Sequence, residues 1–359
     1  KKVEIPSDWK NASDEEVCNK ATQGRKEVVE YVNGIMKPVN AYKGNELPVS
    51  AFMDHVDGTV PNGSSAYEKR GIAVDVPEWQ PENCIQCNRC SFVCPHAVIR
   101  PFGLTEDDIS NGPKELKAID MIGLKDMKFT IAISTLDCTG CGACAQVCPG
   151  KKGEKALVMK SIDSQLENQK VFDYCVSLAP KAEVNEKFKE SSVKGSQFKQ
   201  PLLEFSGACA GCGETPYAKL ATQLFGDRMY IANATGCSSI WGASAPATPY
   251  TVNNKGFGPA WANSLFEDNA EFGMGMALAQ SANRERLKNY IEEIREKTQK
   301  DDIKAACDKY IETFTDGKEN RTATDALIEK LEEIANCDCE VGKLAKKTLI
   351  DKDMLSKKS

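Results

Sequence analysis

Histidine is scarce in this sequence, with only His55 and His96 among 359 residues. A serine–histidine–aspartate triad needs a histidine that a nearby carboxylate orients, and no such grouping is supported here. The sequence also lacks the glycine-rich patterns Gly-x-x-x-x-Gly-Lys-Ser/Thr and Gly-x-Gly-x-x-Gly, which are typical of phosphate-binding and dinucleotide-binding loops. The usual hydrolase and nucleotide-binding classes are therefore not indicated.

Long apolar runs and excess positive charge are absent as well. No stretch of about 18 apolar residues occurs, so no membrane span is predicted, and the first residues lack the apolar core of a signal peptide. The net charge of −6 argues against a nucleic-acid partner. With 41% apolar and 27% charged residues, we expect a cytoplasmic, globular protein of roughly two or three domains.

Cysteine, in contrast, is abundant, with 16 residues in the chain. Eleven of them lie in tight groups, most with two residues between neighbouring thiols. Because cytosolic thiols stay reduced, these groups favour metal or cluster ligation over disulfides. Of the other five cysteines, Cys18 and Cys175 have no partners nearby and are interpreted as small apolar fillers. Those at 307, 337 and 339 are candidates for further ligation by count only, and because they lie in charged helical sequence we interpret each as an ordinary helix residue.

Two of the groups are complete arrays of identical spacing, each ending in Cys-Pro. They read Cys84-x-x-Cys87-x-x-Cys90-x-x-x-Cys94-Pro95 and Cys138-x-x-Cys141-x-x-Cys144-x-x-x-Cys148-Pro149. In bacterial two-cluster ferredoxins the first three cysteines of such a run hold one cubane and the fourth ligates the other. We therefore predict that Cys84, Cys87, Cys90 and Cys148 hold one [4Fe–4S] cluster, and that Cys138, Cys141, Cys144 and Cys94 hold a second. Zinc is the weaker interpretation, because its sites usually close with two separated ligand pairs.

A third group combines Cys209, Cys212 and Cys237 with the acidic residue Glu214. Three thiols within one α/β unit suggest a third cluster whose fourth ligand remains to be found. The glycines around them, and the helix start at Thr215, suit an anion such as a diphosphate. They equally suit a loop that only makes room for a cluster, so the residues alone leave both interpretations open.

The chain divides by composition into five parts. Alternating residues predict strands at 129–134 and 156–162, helical spacing predicts a helix after Thr215, and Met229–Ala234 is a short buried-strand candidate. A short helix is predicted over Val28–Met36. The predicted division is a loop-rich connector (1–75), a two-cluster ferredoxin domain (76–175), a linker (176–204), the N-terminal part of an α/β domain (205–282) and a charged helical arm (283–359).

These residues resemble pyruvate:ferredoxin (flavodoxin) oxidoreductases. The two arrays resemble the ferredoxin domain of that family. Phe205-Ser-Gly-Ala-Cys209-Ala-Gly-Cys212-Gly-Glu214, Ala234-Thr-Gly-Cys237-Ser-Ser-Ile-Trp241-Gly and Asn263-Ser-Leu-Phe-Glu-Asp-Asn resemble its thiamine-diphosphate domain. The resemblance runs from about residue 40 to 282. It implies an α+β bacterial-type two-[4Fe–4S] ferredoxin fold, joined to part of an α/β thiamine-diphosphate-binding domain with a helical arm.

The resemblance also implies a reaction. Pyruvate and coenzyme A would be converted to acetyl-CoA and CO₂, with electrons passing through three [4Fe–4S] clusters to ferredoxin or flavodoxin. Glu214 and Cys237 would contact thiamine diphosphate, which binds with Mg²⁺, and Cys209, Cys212 and Cys237 would hold the third cluster. The resemblance assigns no catalytic side chain to this chain, and the complete enzyme is expected to be a homodimer.

The sequence departs from the family in what it leaves out. It has no Gly-Asp-Gly followed by a distant Asn, the pattern that holds Mg²⁺ in the family. The family's pyruvate-binding residues, and the fourth ligand of its third cluster, lie in parts of the enzyme that this sequence does not include. We therefore expect a segment of the enzyme that works with remaining domains or chains. The alternatives are a stand-alone polyferredoxin and a subunit of another 2-oxoacid:ferredoxin oxidoreductase.

Overall fold

The computed structural model describes residues 20–244 and 247–359. Its N-terminal part is helical, with α1 (Lys26–Tyr31), a π-helical turn (Val32–Met36) and α2 (Lys37–Asn40). This confirms the short helix predicted over Val28–Met36. Short 3₁₀ turns follow at Gly44–Glu46, Val49–His55 and Ser64–Tyr67. The apolar side chains of the first helical stretch pack with Ala247, so this part contacts a segment some 200 residues later in the chain.

Residues 75–161 form two similar halves, each with a strand, a short helix and a second strand. The elements are β1 (Asp75–Trp79), α3 (Arg89–Val93), β2 (Ile99–Leu104), α4 (Glu106–Ser110), β3 (Ile119–Asp120), β4 (Lys128–Ile133), α5 (Ala143–Val147) and β5 (Leu157–Ser161). β1 pairs with β5, and β4 lies between β2 and β3, all antiparallel. The strands predicted from alternating residues at 129–134 and 156–162 are confirmed as β4 and β5.

One hydrophobic core joins these two sheets. Phe129 on β4 is fully buried and meets the Trp79 ring edge to face at 6.1 Å between centroids. It also meets Phe198, which belongs to the following segment, at 6.3 Å. Aromatic contacts of this kind add to the free energy that burial of the rings already contributes. The core therefore extends beyond the cysteine-bearing region.

The stretch after β5 packs on that core as short helices. These are α6 (Asn168–Ser177), α7 (Ala182–Lys187) and α8 (Val193–Ser196). Val184 is buried, and Phe188 stacks on Phe198 at 5.5 Å. The Arg100 guanidinium on β2 forms an ion pair with Glu204, with both side chains largely shielded from solvent. Much of the predicted linker is thus helical. It lies against the two sheets of residues 75–161, which we call the two-sheet module.

The next part begins with α9 (Thr215–Phe225), where helical spacing predicted a helix. Strands β6 (Tyr230–Ala234) and β7 (Ala260–Ser264) then form a two-stranded parallel sheet. The three-residue α10 (Cys237–Ser239) and a π-helical turn (Ile240–Ser244) follow β6 directly. Because the strands are parallel, residues after β6 and after β7 meet at the same sheet edge, as in α/β ligand sites.

Four helices complete the chain: α11 (Asn269–Lys297), α12 (Asp301–Glu312), α13 (Glu319–Ile334) and α14 (Glu340–Ile350). They enclose a separate apolar core that includes Leu287, Tyr310 and Leu331. α11 runs without a break across positions 282 and 283, where composition suggested a domain boundary. Ser359 bonds through its backbone to Arg228 and Tyr230, which ties the end of this bundle to β6. Within the described residues, no helix is long and apolar enough to cross a membrane.

Truncation of Leu331 tests the independent core of the helical bundle. Leu331 has no solvent exposure, so Leu331→Ala should lower the free energy of unfolding by about 2–5 kcal/mol. Denaturant unfolding followed by far-ultraviolet circular dichroism measures the change. Leu278→Ala, at a side chain 58% exposed, is the control and should change stability by less than about 0.5 kcal/mol. Equal effects of the two substitutions would contradict the assigned core.

Candidate functional site

The two cysteine arrays fold into loops with matching backbone shapes. In each loop, the second and fourth residues after the first cysteine have positive φ. These residues are Gln86 (57°) and Asn88 (60°) in the first array, and Gly140 (68°) and Gly142 (73°) in the second. A left-handed conformation lets a short loop curl so that its thiols face one point, and glycine adopts it without steric cost. The equal spacing of the arrays therefore corresponds to an equal loop geometry.

Backbone amides in these loops point at sulfur. Three thiol sulfurs accept such hydrogen bonds: Cys84 from Gln86 (3.4 Å), Cys138 from Gly140 (3.4 Å) and Cys148 from Ala156 (3.3 Å). Hydrogen bonds to sulfur stabilise a thiolate and help set the reduction potential of a ligated cluster. The donors belong to the loops themselves and to the residue that precedes β5.

The last cysteine of each array leaves its helix in the same way. Cys94 follows α3 with φ −67° and ψ 117°, and Cys148 follows α5 with φ −65° and ψ 117°. A proline comes next in both cases, and proline disfavours the helical conformation for the residue before it. The extended conformation turns each of these cysteines away from its own loop.

The eight thiols line two small cavities. Cys84, Cys87, Cys90 and Cys148 line one, which also contacts Trp79 and Phe129. Cys94, Cys138, Cys141 and Cys144 line the other. Each cavity thus receives three cysteines from one array and the final cysteine of the other. The structure brings the thiols together in the two groups that the spacing indicates, and their roles as ligands remain a prediction.

Burial disfavours the thiolate form in both cavities. It raises the pKa of Cys138 to about 12 and the pKa of Cys90 well above its ordinary value, and the pKa of Cys84 rises for the same reason. Thiolates in such places need cationic partners, and metal ligation deprotonates a cysteine outright. The donor set and its burial fit iron–sulfur clusters better than free thiols.

The third group of cysteines lies on the surface around α9 and β6. Cys209 and Cys212 belong to one turn, in which the amide of Cys212 donates to the carbonyl of Cys209 at 3.0 Å. Cys237 is the first residue of α10, directly after β6. Cys209 and Cys237 are exposed and Cys212 is half-buried, and none of the three forms a disulfide. Each of the three side chains is therefore at least partly accessible to solvent.

The turn that holds Cys209 and Cys212 packs against the second cavity. A Cβ atom built at Gly211 would lie 3.7 Å from the Cβ of Cys141. The amide of Phe205 donates to the carbonyl of His96 at 2.9 Å. The imidazole Nδ1 of His96 lies 3.0 Å from the carbonyl oxygen of Ser206, and burial lowers the pKa of His96. His96 therefore links the second cavity, whose wall it forms, to the third cysteine group.

The carboxylate of Glu214 lies at the start of α9. The indole Nε1 of Trp241 donates to its Oε2 at 3.4 Å, which connects α9 to the turn after β6. At the same sheet edge, the Asn233 side-chain amide donates to Oδ1 of Asn263 at 2.8 Å, and the Ser239 hydroxyl donates to the same oxygen at 2.9 Å. No local sequence pattern predicts the contact between Trp241 and Glu214, because the two residues are 27 positions apart.

Among residues 20–244 and 247–359, which do not include Cys18, the other cysteines lie apart from the three groups. Cys307 is buried in the core of the helical bundle, and Cys175 is fully buried beneath the two sheets. The interpretation of Cys337 and Cys339 as helix residues is wrong. They lie between α13 and α14 and form a disulfide, with Cα atoms 5.3 Å apart. The charged, helix-like pattern around these two cysteines does not indicate the turn that brings their sulfur atoms together.

Comparisons with known proteins identify the cysteine arrays. A family model described as a 4Fe-4S dicluster domain matches residues 83–152. A second model, described as a domain of unknown function, matches residues 19–73. The chain therefore contains a 4Fe-4S dicluster domain, and 4Fe-4S cluster binding is a property of this part of it.

Curated relatives match far more of the chain. It is 50% identical over 360 residues to a pyruvate:ferredoxin oxidoreductase of Moorella thermoacetica, covering 99% of this chain and 30% of that protein. It is 49% identical over 329 residues to a pyruvate-flavodoxin oxidoreductase of Klebsiella pneumoniae, covering 92% of this chain and 27% of that protein. Identity to a pyruvate dehydrogenase [NADP(+)] of Cryptosporidium parvum is 52% over 269 residues, covering 74% of this chain and 13% of that protein.

The chain thus spans about a third or less of the length of these relatives. The identities lie near 50% and extend through the helical bundle, which the motifs alone did not cover. The resemblance that the sequence indicated is confirmed. Over almost its whole length, this chain is a relative of one segment of the pyruvate:ferredoxin and pyruvate-flavodoxin oxidoreductases.

Proposed function

We propose that this chain is the electron-relay segment of a pyruvate:ferredoxin or pyruvate-flavodoxin oxidoreductase. The complete enzyme would convert pyruvate and coenzyme A to acetyl-CoA and CO₂ and pass the electrons to ferredoxin or flavodoxin. The observation that carries the proposal is the packing of the Cys209–Cys212 turn on a cavity lined by four further cysteines. That arrangement suits a relay that begins at a reaction centre and enters a two-cluster module.

The ligands proposed for the first two clusters are the cavity-lining thiols. Cys84, Cys87, Cys90 and Cys148 would hold one, and Cys94, Cys138, Cys141 and Cys144 the other. When bound, a [4Fe–4S] cluster accepts and releases one electron at a time. The protein shields these thiols, apart from the exposed Cys141, at least partly from water and donates amide hydrogens to sulfur. Cys90 on α3 lines one cavity, and Cys144 on α5 lines the other.

The entry to this relay would lie at the second cavity. Cys209, Cys212 and Cys237 would hold the third cluster, with the fourth ligand supplied from outside this chain. Gly211 is close to Cys141, and His96 contacts the backbone next to Cys209. The second cavity is therefore the nearer of the two to the proposed third cluster, and the first cavity would be the exit.

A thiamine diphosphate site is proposed beside the third group, with Mg²⁺ held by parts outside this chain. When bound, thiamine diphosphate supplies the chemistry that decarboxylates the 2-oxoacid. Glu214 and Cys237 are the residues proposed to contact it. Glu214 is exposed and oriented by the Trp241 indole, and Cys237 follows β6 at the sheet edge where the strands end.

Further parts of the enzyme would cover the surface around this site. Large apolar side chains are exposed on α9, on the turn before α11 and on α11 itself, namely Tyr217 (77%), Leu265 (65%), Phe266 (77%) and Met274 (64%). Such a concentration of exposed apolar groups marks a contact surface. The remaining domains, from the same or another chain, would pack here in a cytoplasmic, homodimeric enzyme.

The names of the relatives bear on the electron acceptor and on the 2-oxoacid. The relatives' names include ferredoxin, flavodoxin and NADP(+) as acceptors, so this segment is shared by enzymes with different acceptors. All three names specify pyruvate, which favours pyruvate over other 2-oxoacids. The alternative of a stand-alone polyferredoxin would leave the exposed Glu214 and its apolar surroundings without a role.

Removal of single cysteines tests the crossed ligand assignment. Cys94→Ala should remove about four irons per chain and expose Cys138, Cys141 and Cys144 to anaerobic alkylation, while Cys84, Cys87 and Cys90 stay protected. Cys148→Ala should give the reverse pattern. Mass spectrometry of the alkylated protein, together with iron analysis, measures both results. Cys175→Ala, at a buried cysteine outside both cavities, is the control. If Cys94→Ala instead exposed Cys84, Cys87 and Cys90, the other cysteines of its own array, the crossed ligand assignment would be contradicted.

Substitution of Glu214 tests the proposed thiamine diphosphate site. In the complete enzyme, Glu214→Gln should lower pyruvate-dependent methyl viologen reduction about 10- to 100-fold, since a hydrogen bond to a charged group contributes roughly 1.5–3 kcal/mol. Iron content and reduction of the clusters by dithionite should not change. Glu285→Gln, at an exposed carboxylate on α11 outside the motifs that resemble the thiamine-diphosphate domain, is the control. Wild-type reduction by 2-oxoglutarate instead of pyruvate would favour a different 2-oxoacid oxidoreductase.

A further inference from the structure

Lys219 is a buried cation between the two cysteine-lined cavities. It lies on the face of α9 that packs against the two-sheet module, and its side chain is 1% exposed. Its ammonium donates to the carbonyl oxygens of Ser91, Phe92 (3.2 Å) and Cys94 (3.1 Å). These carbonyls belong to the last turn of α3 and the residue after it, which connect the two cavities.

The position of α3 brings this ammonium close to both proposed clusters. Cys90, on α3, lines the first cavity, and Cys94, just after α3, lines the second. Lys219 therefore contacts the backbone that joins one ligand of each cluster. Positive charge is also favourable at the carboxyl end of a helix, where carbonyl groups lack partners.

The charge balance around Lys219 is unusual. Its hydrogen-bond partners are neutral carbonyls, and the part of the chain that the structure describes contributes no carboxylate to its charged neighbours, which are Cys94, Cys90 and Arg100. A buried ammonium without an anion is costly. With a cluster bound in each cavity, the thiolate ligands, Cys90 and Cys94 among them, would supply the compensating negative charge.

We propose that Lys219 is a positioning residue that raises the reduction potentials of both [4Fe–4S] clusters. The inference rests on the proposed cluster binding. Reduction adds one electron and one negative charge to a cluster, and a fixed cation in a region of low dielectric constant stabilises the added charge. No bond forms or breaks, and Lys219 itself gains and loses neither an electron nor a proton in the step.

The hydrogen bonds of Lys219 also attach α9 to the two-sheet module. α9 begins just after Cys212 and Glu214, so the helix that orients the proposed reaction centre also delivers the charge that tunes the relay. A purely structural role, in which Lys219 only fills the carbonyl acceptors of α3, would affect stability and iron content. It would not change the potential of clusters that remain assembled.

Anaerobic redox titration of the complete protein, followed by electron paramagnetic resonance, separates these roles. Lys219→Met keeps the side-chain length and removes the charge. Its clusters should have more negative potentials, with an equilibrium constant for reduction about tenfold lower, equivalent to about 59 mV for a one-electron couple. Lys219→Arg keeps the charge and should stay close to wild type. Thr222→Val, at a buried polar side chain on the same face of α9, is the uncharged control.

Each outcome decides between the proposals. Wild-type iron content with unchanged potentials in Lys219→Met would overturn the inference. If Lys219→Met loses its iron, Lys219→Gln, which retains hydrogen-bond donors, is titrated instead. Loss of iron from both variants, with iron retained in Thr222→Val, would establish a structural role and also overturn it. Absence of iron from the wild-type protein would overturn the proposed function itself.

Discussion

The crossing of the two cysteine arrays is the constraint on which the rest of the structure depends. Each cavity is lined by three cysteines of one array and by the last cysteine of the other, so the two halves lie against each other. The pairing of β1 with β5, the first and last strands of the module, also joins the two halves. The core that contains Phe129 fills the space between the sheets. The module is therefore organised around two groups of four thiols, and burial of members such as Cys138 and Cys144 disfavours their thiolate form unless a metal binds them.

The other parts of the chain are arranged by contact with this module. The turn that carries Cys209 lies against Cys141, and α9 follows it into a position where Lys219 reaches the end of α3. The helical bundle has its own core, but Ser359 attaches its end to β6. A relay and a reaction centre need a defined separation, and these contacts hold the proposed centre beside one cavity rather than midway between the two.

The sequence predicted those features that depend on local spacing. Cysteine spacing grouped three thiols of each array, because a short loop brings near neighbours to one point, and the crossing typical of bacterial ferredoxin runs assigned the fourth. Alternation predicted β4 and β5. Helical spacing predicted α9, but it gave no indication that the buried face of this helix is polar, with Lys219, Thr222 and Gln223 inside and Tyr217 exposed. The polar face can be buried because carbonyl groups at the end of α3, about 125 residues earlier, accept hydrogen bonds from Lys219. No local pattern reveals this contact. Composition likewise suggested a boundary at 282 that α11 crosses.

The two loops share a backbone shape but differ in the residues that adopt it. The two halves therefore make different contacts with the rest of the chain. In the first loop the left-handed positions carry side chains. Gln86 bonds to the backbone of Asp120 and Ile122, and Asn88 bonds to the carbonyl of Lys194. In the second loop both positions are glycine, and nothing fills the space beside Gly142. The first loop is thus anchored by side-chain hydrogen bonds, whereas the second leaves open space beside Gly142 and is contacted near Cys141 by the turn that carries Gly211.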